Sequence, residues 1–238
     1  LPLRSNSALI NMIVKIVFRA AIILTTDRLV LTSRGFSSVI GRNKPSVIIE
    51  NVTLDSFEGA ARKTSLKIDR NAKIGVWGVY RYFNQHSLLF RYSSDKSVKC
   101  IYHGGPVESE KILKRLRKQN QLIDIYGNFD NSEISKIYET IDVIYAVYDS
   151  RQINVRLALP NKLYESIIYK KPIIVSKNTF LAELVEKYNI GIAVDSQNYE
   201  NFARDMEALY KQKFNFDMKL IEETLINNDH NLKRIIFE

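Results

Sequence analysis

The segment PNKLYESIIYKKPIIVS, at residues 160–176, carries the residue types that a bound diphosphate requires. Pro160 followed by Asn161 is typical of a helix start, where Asn161 can cap the helix and Lys162 projects from its first turn. A lysine beside the free amides of a helix N-terminus is suited to a diphosphate. Glu165 lies on the same helix face as Asn161, and its carboxylate can accept both hydroxyl groups of a ribose. The pattern predicts a helix that binds a nucleotide.

Six short apolar runs rich in Ile and Val alternate with longer amphipathic segments from residue 73 onward. Such runs are typical of strands buried on both faces of a parallel sheet. The alternation predicts an α/β fold with a doubly wound, Rossmann-like parallel sheet. The predicted strands are 73–78, 99–102, 122–126, 142–147, 172–175 and 191–194, and the predicted helices are 84–92, 108–119, 132–140, 162–169, 179–188 and 199–212.

The sheet type predicts where a ligand binds, because open parallel sheets hold ligands at the carboxyl ends of their strands. The predicted segment 160–176 reaches this edge at its helix start. Gly78 and the Gly104-Gly105 pair also follow predicted strands there, and glycine allows a ligand to approach the backbone closely. The alternative explanation for these glycines is an ordinary turn.

The first 70 residues do not repeat this strand–helix unit. They contain a predicted helix at 7–24, strands at 28–32 and 46–50, and a short helix at 35–40, too few elements to bury both of their faces. We therefore expect a remnant of an N-terminal domain. The predicted divisions are this remnant (1–50), a linker (51–72), a nucleotide-binding domain (73–214) and a C-terminal helix that returns to the N-terminal segment (215–238). In that helix, Met218, Ile221 and Leu225 form a stripe predicted to pack on the first helix and strand.

Composition and charge exclude several classes of protein. The 45% hydrophobic and 26% charged residues are typical of a globular chain, and no apolar run reaches the about 18 residues of a membrane span. A single cysteine, Cys100, excludes a disulfide scaffold and predicts a cytoplasmic setting. The net charge is +9, with seven basic and one acidic residues in 1–45 and fourteen basic and four acidic in 60–120. This excess favours phosphate ligands or a peripheral contact with an anionic membrane, and no motif for nucleic-acid binding accompanies it.

Residues 160–176 resemble the donor-site signature PNKLxExxxxxKPxI of GT-B glycosyltransferases of the family 4 type. The segment KIGVWGVYRYFNQHSLLF at 73–90 resembles the opening strand, glycine loop and helix of that family. IYGNFDNSEISKIY at 125–138 resembles its segment beside the nucleotide base, and TDRLVLTSRGF at 26–36 its last N-terminal strand and helix. The resemblance extends over residues 8–227 and implies the C-terminal, donor-binding half of a GT-B architecture.

The resemblance also implies a function and a set of site residues. It implies transfer of a sugar from a nucleoside-diphosphate sugar to a polysaccharide or glycolipid acceptor, by an enzyme that is incomplete without the rest of its N-terminal domain. No catalytic residue is identified. The sequence has no Asp-x-Asp motif, so we expect binding without a metal or other cofactor. The implied donor-binding residues are Gly78, Arg81, Gly104, Gly127, Asn128, Asn161, Lys162, Leu163 and Glu165.

Three positions depart from the family pattern. Val79 and Asn84 stand where members carry an arginine and a lysine that bind the donor phosphates, and Leu157 stands where many have a second glutamate. These departures leave two alternatives open: a non-catalytic remnant that binds a nucleotide or a partner chain, and a nucleotide-sugar epimerase of similar architecture. An apolar face left by the absent domain would also favour a homodimer.

Overall fold

The computed structural model describes residues 28–38, 45–52, 63–105 and 120–237, together with residues 12, 13, 16, 17, 20 and 118. The strands are β1 (Leu29–Leu31), β2 (Ser46–Ile48), β3 (Lys63–Lys67), β4 (Ile74–Gly78), β5 (Cys100–Gly104), β6 (Ile123–Tyr126), β7 (Val143–Ala146), β8 (Ile173–Ser176), β9 (Gly191–Val194) and β10 (Lys213–Asp217). The α-helices are α1 (Phe83–Lys96), α2 (Ile134–Thr140), α3 (Ile153–Leu157), α4 (Lys162–Ile168), α5 (Phe180–Lys187), α6 (Tyr199–Met206), α7 (Ala208–Lys211) and α8 (Lys219–Phe237). Within the described ranges, 3-10 helices cover Arg34–Ser38 and Asn131–Glu133.

Six parallel strands form one sheet in the order β6-β5-β4-β7-β8-β9. The chain enters at β4, moves outward to β6, and returns to the other side of β4 with β7. Every residue of β7 and β8 is buried, because helices cover both faces of the sheet. The predicted Rossmann-like α/β fold is confirmed. The direction of winding reverses between β4 and β7, so a crevice opens there at the carboxyl ends of the strands.

The predicted helices match the described elements with several differences. The segment predicted as a helix at 132–140 begins as the 3-10 helix Asn131–Glu133 and continues as α2, and α3 was not predicted. The segment predicted as one helix at 199–212 is divided into α6 and α7, and α1 continues beyond residue 92 to Lys96, where Ser97 takes a left-handed conformation with φ 56°. The helix predicted at 108–119 lies outside the described residues, except for Lys118, which is helical. None of the described helices combines the length and apolarity needed to cross a bilayer.

The antiparallel pair of β3 and β10 was not predicted from the sequence. β3 lies within the segment expected to be a linker, and its sequence KTSLK offers little apolar surface. β10 has a clear period of two, with Phe214 and Phe216 buried and the residues between them exposed. The prediction assigned Phe216 to the last helix and missed this alternation.

The last helix, α8, contacts the N-terminal segment through polar groups. Its Asn231 side chain donates to the carbonyl of Ile48 (2.8 Å), at the end of β2. The predicted apolar stripe is placed differently: Met218 and Ile221 are buried in the main hydrophobic core, and Leu225 packs against that core. Ile13 and Ile16 of the first helix remain 49% and 58% exposed. The predicted burial of that helix by α8 is therefore wrong for these two side chains.

Candidate functional site

Four glycines bring the carboxyl ends of β4, β5 and β6 together. The amide of Gly105 donates to the carbonyl of Gly78 (3.2 Å), and the amide of Gly104 donates to the carbonyl of Gly127 (2.9 Å). Gly104 has a φ of +108°, and a Cβ there would lie 2.5 Å from the carbonyl oxygen of Gly78. Only glycine fits this approach. The backbone groups of Gly78, Gly104, Gly105 and Gly127, called the glycine floor below, therefore form a surface at the strand ends that a ligand can reach.

The ammonium group of Lys162 lies above this floor. Its Nζ is 4.8 Å from the ring centroid of Trp77, and a Cβ on Gly78 would lie 3.8 Å from the same Nζ. Among the described residues, Lys162 has no salt bridge with a carboxylate. The indole ring therefore holds the cation at the end of β4 by a cation–π contact, and leaves its charge available to an anion.

Glu165 is buried, with 8% of its surface exposed, one turn further along α4. Its Oε2 accepts a hydrogen bond from the Tyr138 hydroxyl (2.7 Å), while Oε1 has no partner among the described residues. Burial and the neighbouring carboxylate raise the pKa of Tyr138 well above its usual range, so this hydroxyl remains a donor. Tyr138 stacks on Tyr169 at 3.8 Å between ring centroids and meets Trp77 edge-on. The aromatic rings thus fix Glu165 beside the Lys162–Trp77 pair.

Asn161 occupies the N-cap position of α4, but its side chain makes no capping hydrogen bond. The expected capping is therefore wrong. Asn161 Oδ1 instead accepts from the side-chain amide of Asn51 (3.0 Å), 110 positions earlier in the chain. Leu163 is the next residue that the resemblance implies. Its side chain is fully buried in the core, so only its backbone groups lie at the helix start.

Arg81 and Asn128 are the remaining donor-binding residues that the resemblance implies. Arg81 lies in the loop between β4 and α1, and Asn128 follows the last glycine of the floor. Both side chains are exposed. The structure thus brings Gly78, Lys162 and the Gly104–Gly127 pair together, while these two residues border the same edge of the sheet.

Three contributors to this site were missed from the sequence: the ring of Trp77, the hydroxyl of Tyr138 and the amide of Asn51. Trp77 is buried like a core residue, yet its ring also contacts the Lys162 cation. Tyr138 lies four residues after Ile134, in the segment that resembles the family. A tyrosine on a helix next to a nucleotide-binding element was the sequence signal that could have identified it as part of the site. No sequence pattern connects Asn51 to Asn161.

Polar contacts also fix the loop after β7. Asp149 forms a salt bridge with Arg151 (2.8 Å) and accepts a hydrogen bond from the side chain of Gln197 (3.1 Å), which follows β9. The hydrogen bonds from Arg151 lower the pKa of Asp149 to about 2. The carboxylate therefore stays ionised, and ties the β7 and β9 ends of the crevice together.

Burial shifts the pKa values of two side chains on β5. Cys100 is fully buried, and burial raises the pKa of its thiol to about 12, so the thiol stays protonated and unreactive. His103 stacks on Tyr126 with 4.6 Å between ring centroids, and burial lowers the pKa of its imidazole. Within the described ranges, no group of three His, Cys, Asp or Glu side chains could hold a metal ion.

The sequence profile described as "Glycosyl transferases group 1" matches residues 81–225, well over half of the chain. The chain belongs to this family. In the sequence comparison, none of the curated proteins matches the chain.

Solved structures share the fold of this group 1 chain. A glycosyltransferase from Rickettsia africae ESF-5 is 18% identical with a TM-score of 0.65, over 99% of this chain and 69% of its own. HepE of Anabaena, solved with UDP and glucose, is 13% identical with a TM-score of 0.60, over 94% of this chain and 66% of its own. Sucrose-phosphate synthase from Thermosynechococcus elongatus is 13% identical with a TM-score of 0.57, over 87% of this chain and 55% of its own.

These likenesses show a GT-B fold, of which this chain has the C-terminal type of domain. The chain is also shorter than these proteins: it spans 66% of HepE and 55% of the sucrose-phosphate synthase.

Proposed function

We propose that this chain is the donor-binding part of a glycosyltransferase of the family 4 type, which transfers a sugar from a nucleoside-diphosphate sugar to a polysaccharide or glycolipid acceptor. The observation that carries the proposal is the position of Lys162 Nζ, above Trp77 and beside Gly78, at the switch point of the sheet. Membership of the group 1 family supports it. HepE, whose fold is similar, binds UDP-glucose in a solved structure.

Lys162 and the glycine floor would hold the diphosphate of the donor. Sugar transfer leaves extra negative charge on the departing diphosphate, and a fixed cation that has no competing carboxylate stabilises this charge as it develops. Backbone groups of Gly78 and Gly104 would approach the phosphates where a side chain would block them. We propose that this set of groups performs the role without a metal ion, and UDP binding in the presence of a chelator would test that part separately.

Glu165 would hold the ribose. Because Tyr138 occupies only Oε2, Oε1 is left to accept a hydroxyl hydrogen bond from the sugar of the nucleotide. A carboxylate that accepts such hydrogen bonds binds them more strongly than a neutral group does. The acceptor, a peripheral contact with an anionic membrane and a cytoplasmic location belong to the same proposal. The acceptor rests on the family resemblance, the membrane contact on the basic charge of residues 1–45 and 60–120, and the location on the single cysteine.

We predict that Glu165→Gln weakens UDP binding about ten-fold, because hydrogen bonds to a charged acceptor contribute more than those to an amide. Glutamine can still accept the hydrogen bond from the Tyr138 hydroxyl, so the variant should fold. Alanine would remove this acceptor and is therefore the less suitable replacement. Isothermal titration calorimetry with UDP measures the affinity, and thermal unfolding measures the stability.

Glu186→Gln, in the exposed last turn of α5, is the matched control for this variant, since it removes the same charge at the end of the helix opposite the crevice. Equal UDP affinity in the Glu165 and Glu186 variants would contradict the ribose assignment. Absence of UDP binding by the unmodified chain would contradict the proposed function as a whole.

One observation favours the alternative of a non-catalytic nucleotide-binding chain. Leu157, at the position of the family's second glutamate, brings no carboxylate, and its carbonyl is bound by Ser33 Oγ (2.6 Å). The sugar moiety therefore lacks one charged partner at this position. Equal affinity for UDP and for UDP-sugars would favour this alternative, whereas tighter binding of one UDP-sugar would favour the transferase.

A further inference from the structure

The side chain of Asn228, on α8, forms hydrogen bonds with both backbone polar groups of Glu50. The amide of Glu50 donates to Asn228 Oδ1 (2.9 Å), and Asn228 Nδ2 donates to the carbonyl of Glu50 (2.8 Å). One side chain thus satisfies the donor and the acceptor of a single residue, as a neighbouring strand would. Asn231, one turn later, holds the carbonyl of Ile48 (2.8 Å). The end of β2 is fastened to the last helix by side-chain amides.

The same short segment contacts the helix that carries the candidate site. The carboxylate of Glu50 accepts a hydrogen bond from the hydroxyl of Tyr164, a residue of α4 that is 2% exposed. Burial and this hydrogen bond raise the pKa of Tyr164, which therefore stays a donor. Asn51 donates to Asn161 Oδ1 (3.0 Å). Glu50 and Asn51 therefore link α8 on one side to the first turn of α4 on the other.

A second contact holds the other end of the loop between α3 and α4. Ser33 Oγ donates to the carbonyl of Leu157 (2.6 Å), and a Cβ on Gly35 would lie only 2.4 Å from that oxygen. The approach is too close for any residue but glycine. The loop 157–161, which leads directly into Lys162, is therefore attached at both ends to residues of the N-terminal segment.

We propose that Asn228 is a positioning residue for the site on α4: through Glu50 and Asn51 it holds Asn161, and with it the loop that places Lys162 above Gly78. Asn228 touches none of the candidate ligand-binding groups itself. The loop 157–161 packs against the N-terminal segment, so loss of the Asn228 contacts should loosen the loop although Asn228 lies 67 residues beyond Asn161 in sequence. Only the naming of the α4 site as a donor site rests on the proposed function.

Hydrogen–deuterium exchange of the ligand-free chain tests the link directly. In Asn228→Ala, the amides of residues 157–165 other than Pro160 should exchange about five-fold faster, the equilibrium effect of losing one hydrogen bond of ordinary strength, here the Asn51–Asn161 bond that the link holds in place. Asn227→Ala is the matched control, since it makes the same change in an exposed neighbour of the same helix. A cavity of about 80 Å³ lined by Asn227, Asn228 and Glu50 admits water to the freed backbone groups, so the variant should fold. Unchanged exchange at 157–165, or equal acceleration across the whole chain, would overturn the proposal.

Asn51→Ala provides a second variant at an exposed position, in case Asn228→Ala fails to fold. It should accelerate exchange in the same amides, and the double variant should exchange no faster than the stronger single variant, because both act through one link. Multiplicative effects of the two changes would also overturn the proposal.

UDP affinity then separates this inference from the proposed function. Each single variant should bind UDP about five-fold more weakly, and the double variant about equally so. If the unmodified chain binds no UDP while the local exchange effect is present, the proposed function fails and the positioning role of Asn228 stands. If UDP binds and is unaffected in both folded variants, the positioning role fails and the proposed function stands.

Discussion

Replacement of Lys162 by methionine is expected to weaken UDP binding by about one to two orders of magnitude. The Nζ group is the cation that the structure holds beside Gly78, and hydrogen bonds from a charged donor contribute about 1.5–3 kcal/mol. Methionine retains a flexible apolar side chain over Trp77, so the aromatic packing changes little. Calorimetric titration of each variant with UDP measures the difference, and the loss should be larger at low ionic strength, where charge interactions are less screened.

Lys96→Met in the exposed last turn of α1, at the end of the helix opposite the crevice, controls for the change in net charge. The two variants carry the same total charge, so an effect of the overall positive field would appear in both. A local contact with the diphosphate would appear only in Lys162→Met. Equal affinities for UDP in the two variants would therefore contradict the placement of the diphosphate at the end of β4.

The six-stranded sheet could be predicted because its signal is local. Most of the strands from β4 to β9 are short runs of apolar residues. In β7 and β8 all four positions are buried, so burial on both faces of the sheet requires apolar residues at consecutive positions of the sequence. The pair β3–β10 could not be predicted in the same way. Its stability comes from pairing over 146 to 154 positions of the chain, and the polar sequence of β3 shows no sign of its partner.

The candidate site shows the same difference between features that follow from local sequence and contacts that distant segments make. The order of Asn161, Lys162 and Glu165 on one helix follows from spacing alone, and the structure places Lys162 and Glu165 at one edge of the sheet. The partners of these groups come from elsewhere: Asn51 takes the oxygen of Asn161, and Tyr138 takes an oxygen of Glu165. Helix spacing predicts which side chains share a face, whereas contacts between distant segments decide which of their atoms are free.

A second strong effect is expected at His86, which lies on α1 among the rings of Tyr80, Tyr102 and Tyr145. Its side chain is buried, Nδ1 has no hydrogen-bond partner among the described residues, and burial lowers its pKa to about 4. Burial also raises the pKa of Tyr102 and Tyr145 well above 10, so these neighbours stay neutral. Protonated His86 would be a buried charge with no counter-charge in the part of the chain that the structure describes.

The unfolded chain, with an ordinary histidine pKa of about 6.5, binds a proton at higher pH than the folded chain does. Stability from this group is therefore complete above about pH 6.5 and is lost as the pH falls toward about 4, by about 3 kcal/mol in total. His86→Leu keeps an apolar group of similar size and should remove this part of the acid sensitivity. Urea unfolding at pH 7 and at about pH 4.5 should show a loss in free energy of unfolding about 2 kcal/mol smaller in His86→Leu than in the unmodified chain.

His230→Leu on α8 is the matched control, because its imidazole is exposed and folding does not remove it from water. This variant should lose as much stability on acidification as the unmodified chain does, since the carboxylates that also titrate in this range are common to all three proteins. Comparison between variants at each pH cancels that shared contribution and isolates His86. The same loss of stability between the two pH values in His86→Leu and His230→Leu would show that the imidazole on α1 reaches solvent or a partner when it is protonated.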